Sequence, residues 1–320
     1  MAGYLRSAIV LLALPVLLAA IVPSLGAYHV RIIDTVLIYT LLGLGLNMVV
    51  GYAGLLDLGF VAFYAIGAYT YAILASGHFD IHLPFPLILL LGGGLAGLAG
   101  VLLGIPVLRL RGDYLAIVTL GFGEIIRLLI NNLDVVTNGP QGISRIDGPE
   151  ILGLALSTPH DFFWLLLALV VVAAVLVWRL ENSILGLAWA AIREDQDAAK
   201  GVGVNATVVK LLAFGLSAVL GGVAGVIFAG LQRFVSPESF TFWESLTVVM
   251  IVVIGGLGNI FGVLIGATVL ILIPELLRDY AEYRMLLYGL ALVLIILLRP
   301  NGLVPRRFNP SWLMARLGAG

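Results

Sequence analysis

No cysteine occurs anywhere in the 320 residues, which excludes disulfide cross-links, thiolate nucleophiles and cysteine metal sites. Charge is almost as scarce: Asp, Glu, Lys and Arg make up 11% of the chain, with 17 basic residues against 18 acidic ones and a net charge of −1. A nucleic-acid partner needs clustered Lys and Arg, and no such cluster is present. The catalytic signatures H-E-x-x-H and G-x-S-x-G and the phosphate loop G-x-x-x-x-G-K-[ST] are all missing, so a membrane enzyme is the least supported class and any ATP must be hydrolysed on another chain. What fills the sequence instead is 61% hydrophobic residues and 39 glycines, with a mean hydropathy of +1.13. That is more apolar surface than one soluble core can bury, and it describes an all-α polytopic membrane protein.

Apolar runs of about twenty residues, broken by polar or Gly/Pro clusters, mark the membrane spans. Ten stretches qualify: 7–25, 32–50, 60–76, 85–108, 114–130, 162–180, 208–231, 243–255, 260–277 and 284–298. The eighth is short and flanked by glycine, so nine spans is the alternative. The first stretch, preceded by Arg6, has the look of a signal peptide but is long enough to cross a bilayer and reads as a retained span. With both termini cytoplasmic, the inner segments hold Arg6, Arg109, Arg111, Arg179, Arg193, Lys200, Lys210, Arg299, Arg306, Arg307 and Arg316. That bias agrees with the positive-inside rule. The whole chain, 1–320, then reads as one transmembrane domain, with a long external loop over 132–161 that offers Asn138, Gly139, Pro140 and Arg145 as a landing surface or serves as a plain connection.

One cytoplasmic stretch, "AIREDQDAAKGVGVN" (191–205), interrupts this apolar background with Arg193, Glu194, Asp195, Asp197 and Lys200. Leu185, Trp189, Ile192, Ala199 and Val202 recur on one helical face, and Arg193, Asp197 and Lys200 share the other. The spacing predicts a short amphipathic helix on the inner membrane surface over 185–205, ended by Gly201 and Gly203. On pattern alone such a helix merely joins two spans. Its Asp197-Ala198-Ala199, three residues, Gly203 arrangement resembles the cytoplasmic coupling motif of ABC importer permeases, with Asp where the general motif has Glu and without the downstream Ile-x-Leu-Pro element.

Further motifs, in fixed order along nearly the whole chain, narrow the resemblance. They are "GLGLNMVVGYAGLLDLGFVAFYAIGAY" (43–69), "LRGDYLAIVTLGFGEIIRLLINN" (110–132), "TNGPQGI" (137–143), "VVIGGLGNIFGVLIGA" (252–267) and "RPNGLVP" (299–305). Together they resemble the branched-chain amino acid ABC transporter permease family, the LivM-type membrane subunit. The resemblance implies an ABC importer permease architecture with a cytoplasmic coupling helix, in the bacterial inner membrane, with no enzymatic activity and no cofactor of its own. It implies a sister permease subunit, two ABC ATPase subunits carrying ATP and Mg, and an external or periplasmic solute-binding protein, moving leucine, isoleucine or valine. Arg193, Glu194, Asp195, Asp197, Ala198, Ala199, Gly201 and Gly203 are then the ATPase-coupling residues. Permeases of this architecture also serve urea, amides or other amino acids, and an autonomous ion-coupled secondary transporter is the more distant reading.

Four polar residues at membrane depth are translocation-path candidates. Glu124 and Arg127 lie one turn apart in the fifth span, either on the path or permease contact, or as a self-neutralising structural pair. Asn47 and Asp57 bracket the Gly-rich interruption "GYAGLLDLG" (51–59), and "GGLGNIFG" (255–262) is a second such break. Irregular backbone in a membrane lines a cavity or packs inside protein, and glycines also allow close helix contact. In the outer segment "GHFDIH" (77–82), His78, Asp80 and His82 would share one face if extended, a set able to hold zinc, but no buried fourth ligand accompanies them.

Overall fold

The computed structural model describes residues 22, 25–77, 79–107, 110, 112–151, 153–277, 283–300 and 302–304. The stretch 7–25 therefore lies almost wholly outside the described residues, as do Arg109, Arg111, His78 and the residues after 304. The other nine apolar stretches are all occupied by helix. These are α1 (Ala27–Asn47), α2 (Val61–Leu74), α3 (Phe85–Val107), α4 (Asp113–Asn132), α6 (Pro159–Glu181), α9 (Ala206–Gln232), α10 (Phe242–Gly255), α11 (Ile260–Leu276) and α12 (Arg284–Leu298). Between them lie the short helices α5 (Asp134–Thr137), α7 (Ile184–Glu194) and α8 (Gln196–Gly201). Among the described residues, five segments are long and apolar enough to cross a membrane, running over Ala27–Tyr52, Phe85–Pro106, Pro159–Glu181, Ala206–Gln232 and Pro237–Gly255; Val61–Leu74 and Ile260–Leu276 are shorter apolar helices.

Helices alone do not complete the fold. Two-residue antiparallel ladders pair β1 (Ala75–Ser76) with β2 (Ile81–His82), β3 (Ile143–Ser144) with β6 (Phe234–Val235), and β4 (Glu150–Ile151) with β5 (Leu154–Ala155). Asp147 N–H donates to the Ala75 carbonyl at 2.7 Å, so the long loop after α4 is tied to the α2–α3 connection and to the end of α9. The loop is an ordered cap over one end of the bundle. Its exit into α6 is fixed by a reciprocal capping box between Thr158 and Asp161, with Pro159 at the first turn.

Helix α9 is central and packs on α3, α2 and α1, while α1 also packs on α6, α10 and α11. Glycine sets these distances. A Cβ on Gly67 would lie 2.0 Å from the Gly222 carbonyl oxygen, and one on Gly225 would lie 2.1 Å from that of Tyr64. In lipid, where apolar surface gives no drive for helix association, such backbone-to-backbone approach supplies the packing energy. Gly225→Ala is expected to force α2 and α9 apart and lower the thermal stability of the purified protein by about 1–3 kcal/mol. Gly94 on α3 has nothing within 4 Å of an added Cβ. Gly94→Ala should therefore leave the melting temperature unchanged or slightly raised, and an equal fall in both variants would count against glycine-set packing.

Candidate functional site

Helix α1 does not stop at Asn47 but widens into a π-helical turn, Met48–Tyr52, before the chain loses regular structure over residues 53–59. Asn47 is fully buried. Its Oδ1 accepts the Gly258 N–H at 2.9 Å, so the first Gly-rich break is stapled to the second. The second break has its own cap: Asn259 Oδ1 accepts the N–H groups of Phe261 and Gly262 at 2.9 and 3.2 Å, opening α11. Asn259 Nδ2 donates to the Val304 carbonyl at 3.0 Å. Both breaks and residues 302–304 thus meet at one end of the bundle, and Asn47 is placed as the clasp between them.

Asp57 is also fully buried. Its Oδ1 accepts the Gly59 N–H at 2.9 Å, and the Thr119 side chain lies beside it. Thr119 Oγ1 in turn accepts the Leu58 N–H at 3.0 Å, and Ser245 Oγ donates to the Leu58 carbonyl at 2.6 Å. The broken segment is therefore held by α4 on one side and α10 on the other. A Cβ on Gly59 would lie 1.9 Å from the Thr119 carbonyl oxygen, which explains why glycine ends the break.

Beside this junction, Tyr39 of α1 donates a hydrogen bond to Glu244 Oε2 of α10. Tyr64 lies near both, and its ring packs on Phe228 and Phe240 with centroids 5.2 and 5.3 Å apart. The Tyr69 ring also contacts Phe240, and its buried hydroxyl has no hydrogen-bond partner among the described residues. Sequence reasoning missed Tyr39, Tyr64, Thr119, Glu244 and Ser245. The available signal was a carboxylate, Glu244, at the start of an apolar run preceded by a short polar segment.

Glu124 and Arg127 do pair: Arg127 Nε lies 3.0 and 3.1 Å from the two Glu124 carboxylate oxygens. The pair sits on the outward side of α4, with side chains 42% and 30% exposed, among exposed Leu120, Ile125, Leu128 and Leu129. It does not join the Asn47 and Asp57 junction, which Thr119 of the same helix reaches.

At the end of the bundle that holds the breaks, the expected single amphipathic helix is two. Ser183 caps α7, and Asp195, in extended conformation, ends it and caps α8 by accepting the N–H groups of Asp197 and Ala198 at 2.8 and 3.0 Å. An aspartate able to serve as N-cap breaks the helix where side-chain periodicity alone runs on. The buried face holds Trp189, Ile192 and Ala199, but Val202 is 81% exposed and does not join it. Gly201 closes α8, and Gly203 carries the left-handed backbone, at φ +91°. Glu194, Asp195, Asp197, Ala198 and Lys200 face outward, with Lys200 Nζ 3.6 Å from Asp197 Oδ1. Arg193, also exposed, instead turns its guanidinium to the Gly51 carbonyl, and its side chain lies over Gly54, whose φ is +68°. Trp189 Nε1 donates to the Val209 carbonyl at 2.9 Å, and its ring stacks on Tyr52 at 6.4 Å. Helix α7 is thereby bolted to the π-helical turn of α1.

On the opposite end, Asp80 adopts φ +56° in the β1–β2 turn, so the segment is not extended. His82 bonds to Asp147 and lies 3.7 Å from Asp80, bordering a cavity of about 630 Å³ lined also by Tyr71, Phe85 and Glu150. Among the described residues no three His, Asp or Glu side chains are grouped to hold a metal. The Asp147 hydrogen bond raises the His82 pKa above its usual 6.5, with Asp80 adding to the effect. A raised folded pKa makes the protonated link stabilising below about pH 6.5, and that contribution is lost as pH rises through the elevated value. Thermal unfolding of wild type against His82→Gln should show a wild-type advantage at pH 6 that vanishes at alkaline pH. An advantage that grows with pH would contradict the ion pair.

A bundle of apolar helices, clasped by two Gly-rich breaks at one end and capped by an ordered loop at the other, defines a multi-pass membrane protein. The family described as branched-chain amino acid transport system / permease component matches residues 28–297, and the chain belongs to that family. It is 48% identical over 299 residues to the high-affinity branched-chain amino acid transport system permease protein LivM of Salmonella typhimurium, covering 86% of this chain and 70% of that one. The protein of the same name from Escherichia coli matches to the same extent. The galactofuranose transporter permease protein YtfT of Escherichia coli is 28% identical over 225 residues, covering 69% of this chain and 62% of that one. No solved structure matches the chain. Membership makes it a permease subunit of a transport system, not itself an enzyme, and a multi-pass inner membrane protein.

Proposed function

We propose that this chain is the LivM-type membrane subunit of an ATP-driven importer of leucine, isoleucine and valine. Its 48% identity to the two LivM permeases over 86% of its length carries the reading. In this assembly it pairs with a sister permease, two ATPase chains and an external solute-binding protein. ATP and Mg bind the ATPase chains, consistent with the missing phosphate loop. The outward charged surface of α7 and α8 is the coupling element that docks on an ATPase. Glu124 and Arg127 belong to the surface facing the sister permease: the pair neutralises itself, yet its polar heads lie on an apolar helix face, where a protein neighbour is a better environment than lipid.

The test is uptake of radiolabelled leucine into proteoliposomes holding the complete complex, supplied with loaded binding protein and internal ATP. Leucine uptake that requires ATP supports the proposal. Uptake of urea or an amide in its place would overturn the cargo, and uptake without the ATPase chains would favour an autonomous carrier.

Orientation follows from the same reading, with α7 and α8 cytoplasmic and the β3 ladder external. Because the chain has no cysteine, single replacements report topology without background. Ser144→Cys in intact cells should react with an impermeant thiol reagent, and Ala198→Cys, expressed without the ATPase chains, should react only after the membrane is opened. Both positions are exposed. The reverse pattern would invert the topology.

A further inference from the structure

We propose that Glu244 and Tyr39, with the first turn of α10, form the intramembrane station that receives the ammonium and carboxylate groups of the amino acid during translocation. The inference rests on the permease reading above and goes beyond it by assigning the station to named groups.

A zwitterionic amino acid crossing an apolar bundle has two charges that need partners and a branched side chain that does not. Glu244 adjoins the junction of the first break with α4 and α10, because its neighbour Ser245 bonds to Leu58, and unlike the fully buried Asp57 within the break it is partly exposed. Tyr39 donates to Oε2 of Glu244. Among the described residues no hydrogen bond reaches Oε1, and Glu244 is partly open at the surface of the chain. A fixed carboxylate with one oxygen oriented by a hydroxyl and the other open is a receptor for an ammonium group.

The second charge has its own partner. Thr241, which opens α10, makes no side-chain cap bond, so the first-turn N–H groups are not taken by a cap, although the Glu244 carboxylate shares that turn. Side chains on a helix lean toward its N-terminus. The Glu244 carboxylate therefore leans back toward the turn it belongs to, so both proposed partners of the amino acid are supplied by one turn of α10. The same turn supplies an apolar platform, since Trp243 is 70% exposed and Phe242 is also exposed. Behind the station, Tyr64, Phe228 and Phe240 pack into an aromatic wall. The Tyr69 hydroxyl buried against Phe240 has no partner among the described residues, leaving a donor in that wall for a polar group or water that enters.

The competing occupant is a basic side chain of the sister permease, and the test separates the two. Complete complexes carrying Glu244→Gln, Glu244→Asp and Tyr39→Phe are compared with wild type in proteoliposomes. Three readouts are taken: leucine uptake, ATP hydrolysis stimulated by loaded binding protein, and the amount of sister permease that co-purifies. Glu244→Gln should lower leucine uptake by about ten-fold or more, the loss expected for one charge-assisted hydrogen bond. Hydrolysis and co-purification should stay near wild type. Glu244→Asp, which keeps the charge, should retain more uptake than Glu244→Gln.

Glu244→Cys adds a reading of proximity, since this chain has no other thiol. Leucine supplied by loaded binding protein under turnover should slow labelling of that thiol by a small permeant reagent. Wild-type uptake in Glu244→Gln, or loss of uptake matched by loss of the sister chain, overturns the station. If Glu244→Gln fails to assemble, Tyr39→Phe decides: it removes one hydroxyl and should assemble with uptake lowered several-fold, and unchanged uptake overturns the proposal. A wild-type complex that imports an uncharged cargo and not leucine overturns the function reading and the station together. Leucine import with an indifferent Glu244→Gln overturns the station alone.

Discussion

Ala198→Arg is expected to uncouple ATP hydrolysis from uptake, with the variant permease still present in the membrane at wild-type levels. The residue lies one position into the acidic-Ala-Ala motif, faces outward and forms part of α8, whose start is fixed by the Asp195 cap. A long cation there adds bulk and charge to a small, flat surface. A misfit at the centre of a docking interface typically costs about 2 kcal/mol or more, a fall in affinity of about thirty-fold. The adjacent Ala199→Arg tests a different thing. Ala199 is 4% exposed and faces its own chain, so an arginine there should dislodge α8 and lower the yield of the permease. The motif resemblance treats the two alanines alike as coupling residues, although helical spacing puts Ala199 on the apolar face; burial confirms the separation. Normal coupled uptake in Ala198→Arg would remove α8 from the docking surface.

Asn47→Leu should have the second large effect, on assembly before transport. The substitution keeps the branched shape of the side chain but leaves the Gly258 N–H without its acceptor in a fully buried site. An orphaned buried donor costs about 1–3 kcal/mol, and here the loss falls on the only side-chain hydrogen bond described between the two Gly-rich breaks. A Cβ on Gly51 would lie 2.0 Å from Asn47 Oδ1 and 2.6 Å from the Gly258 nitrogen, so the clasp has no slack to repack. A lowered melting temperature and reduced complex yield are expected. A variant that assembles fully and merely transports poorly would return Asn47 to the path.

Much of the architecture was legible because lipid imposes simple rules. Apolar runs at 85–108, 162–180 and 208–231 fall within a few residues of α3, α6 and α9. The breaks at 51–59 and 255–262 were visible as glycine clusters. What pattern could not supply was which atoms the polar residues meet. Asn47 and Asp57 were singled out for polarity at membrane depth, and both are buried, but Asn47 serves the backbone of a segment over two hundred residues away. Glu124 and Arg127 were found at the right spacing, yet their place on the outward side of α4 depends on tertiary packing. The division of the amphipathic helix at Asp195 was hidden because a capping aspartate and a helix-surface aspartate look alike in sequence. Glu244 escaped notice because its partner, Tyr39, is far away in the chain and unremarkable in an apolar run.

The bolt between α7 and the π-helical turn has a mechanical consequence. Trp189 stacks on Tyr52, Tyr52 bonds to Glu181 at the end of α6, and Arg193 holds Gly51. Two of these contacts tie α7 to the end of α1 and the third ties that end to α6, so the three are joined as one arm. The backbone departs from helix at Asp195, with φ −154° and ψ 112°, so α8 is the wrist of that arm. If α8 is the docking element proposed above, a push delivered there is absorbed as swivel at Asp195 or passed on as torque to the turn that carries Gly51 and Tyr52. Stiffening the wrist should set the gearing of the machine, changing how much ATP is spent per molecule carried while leaving the binding of cargo untouched.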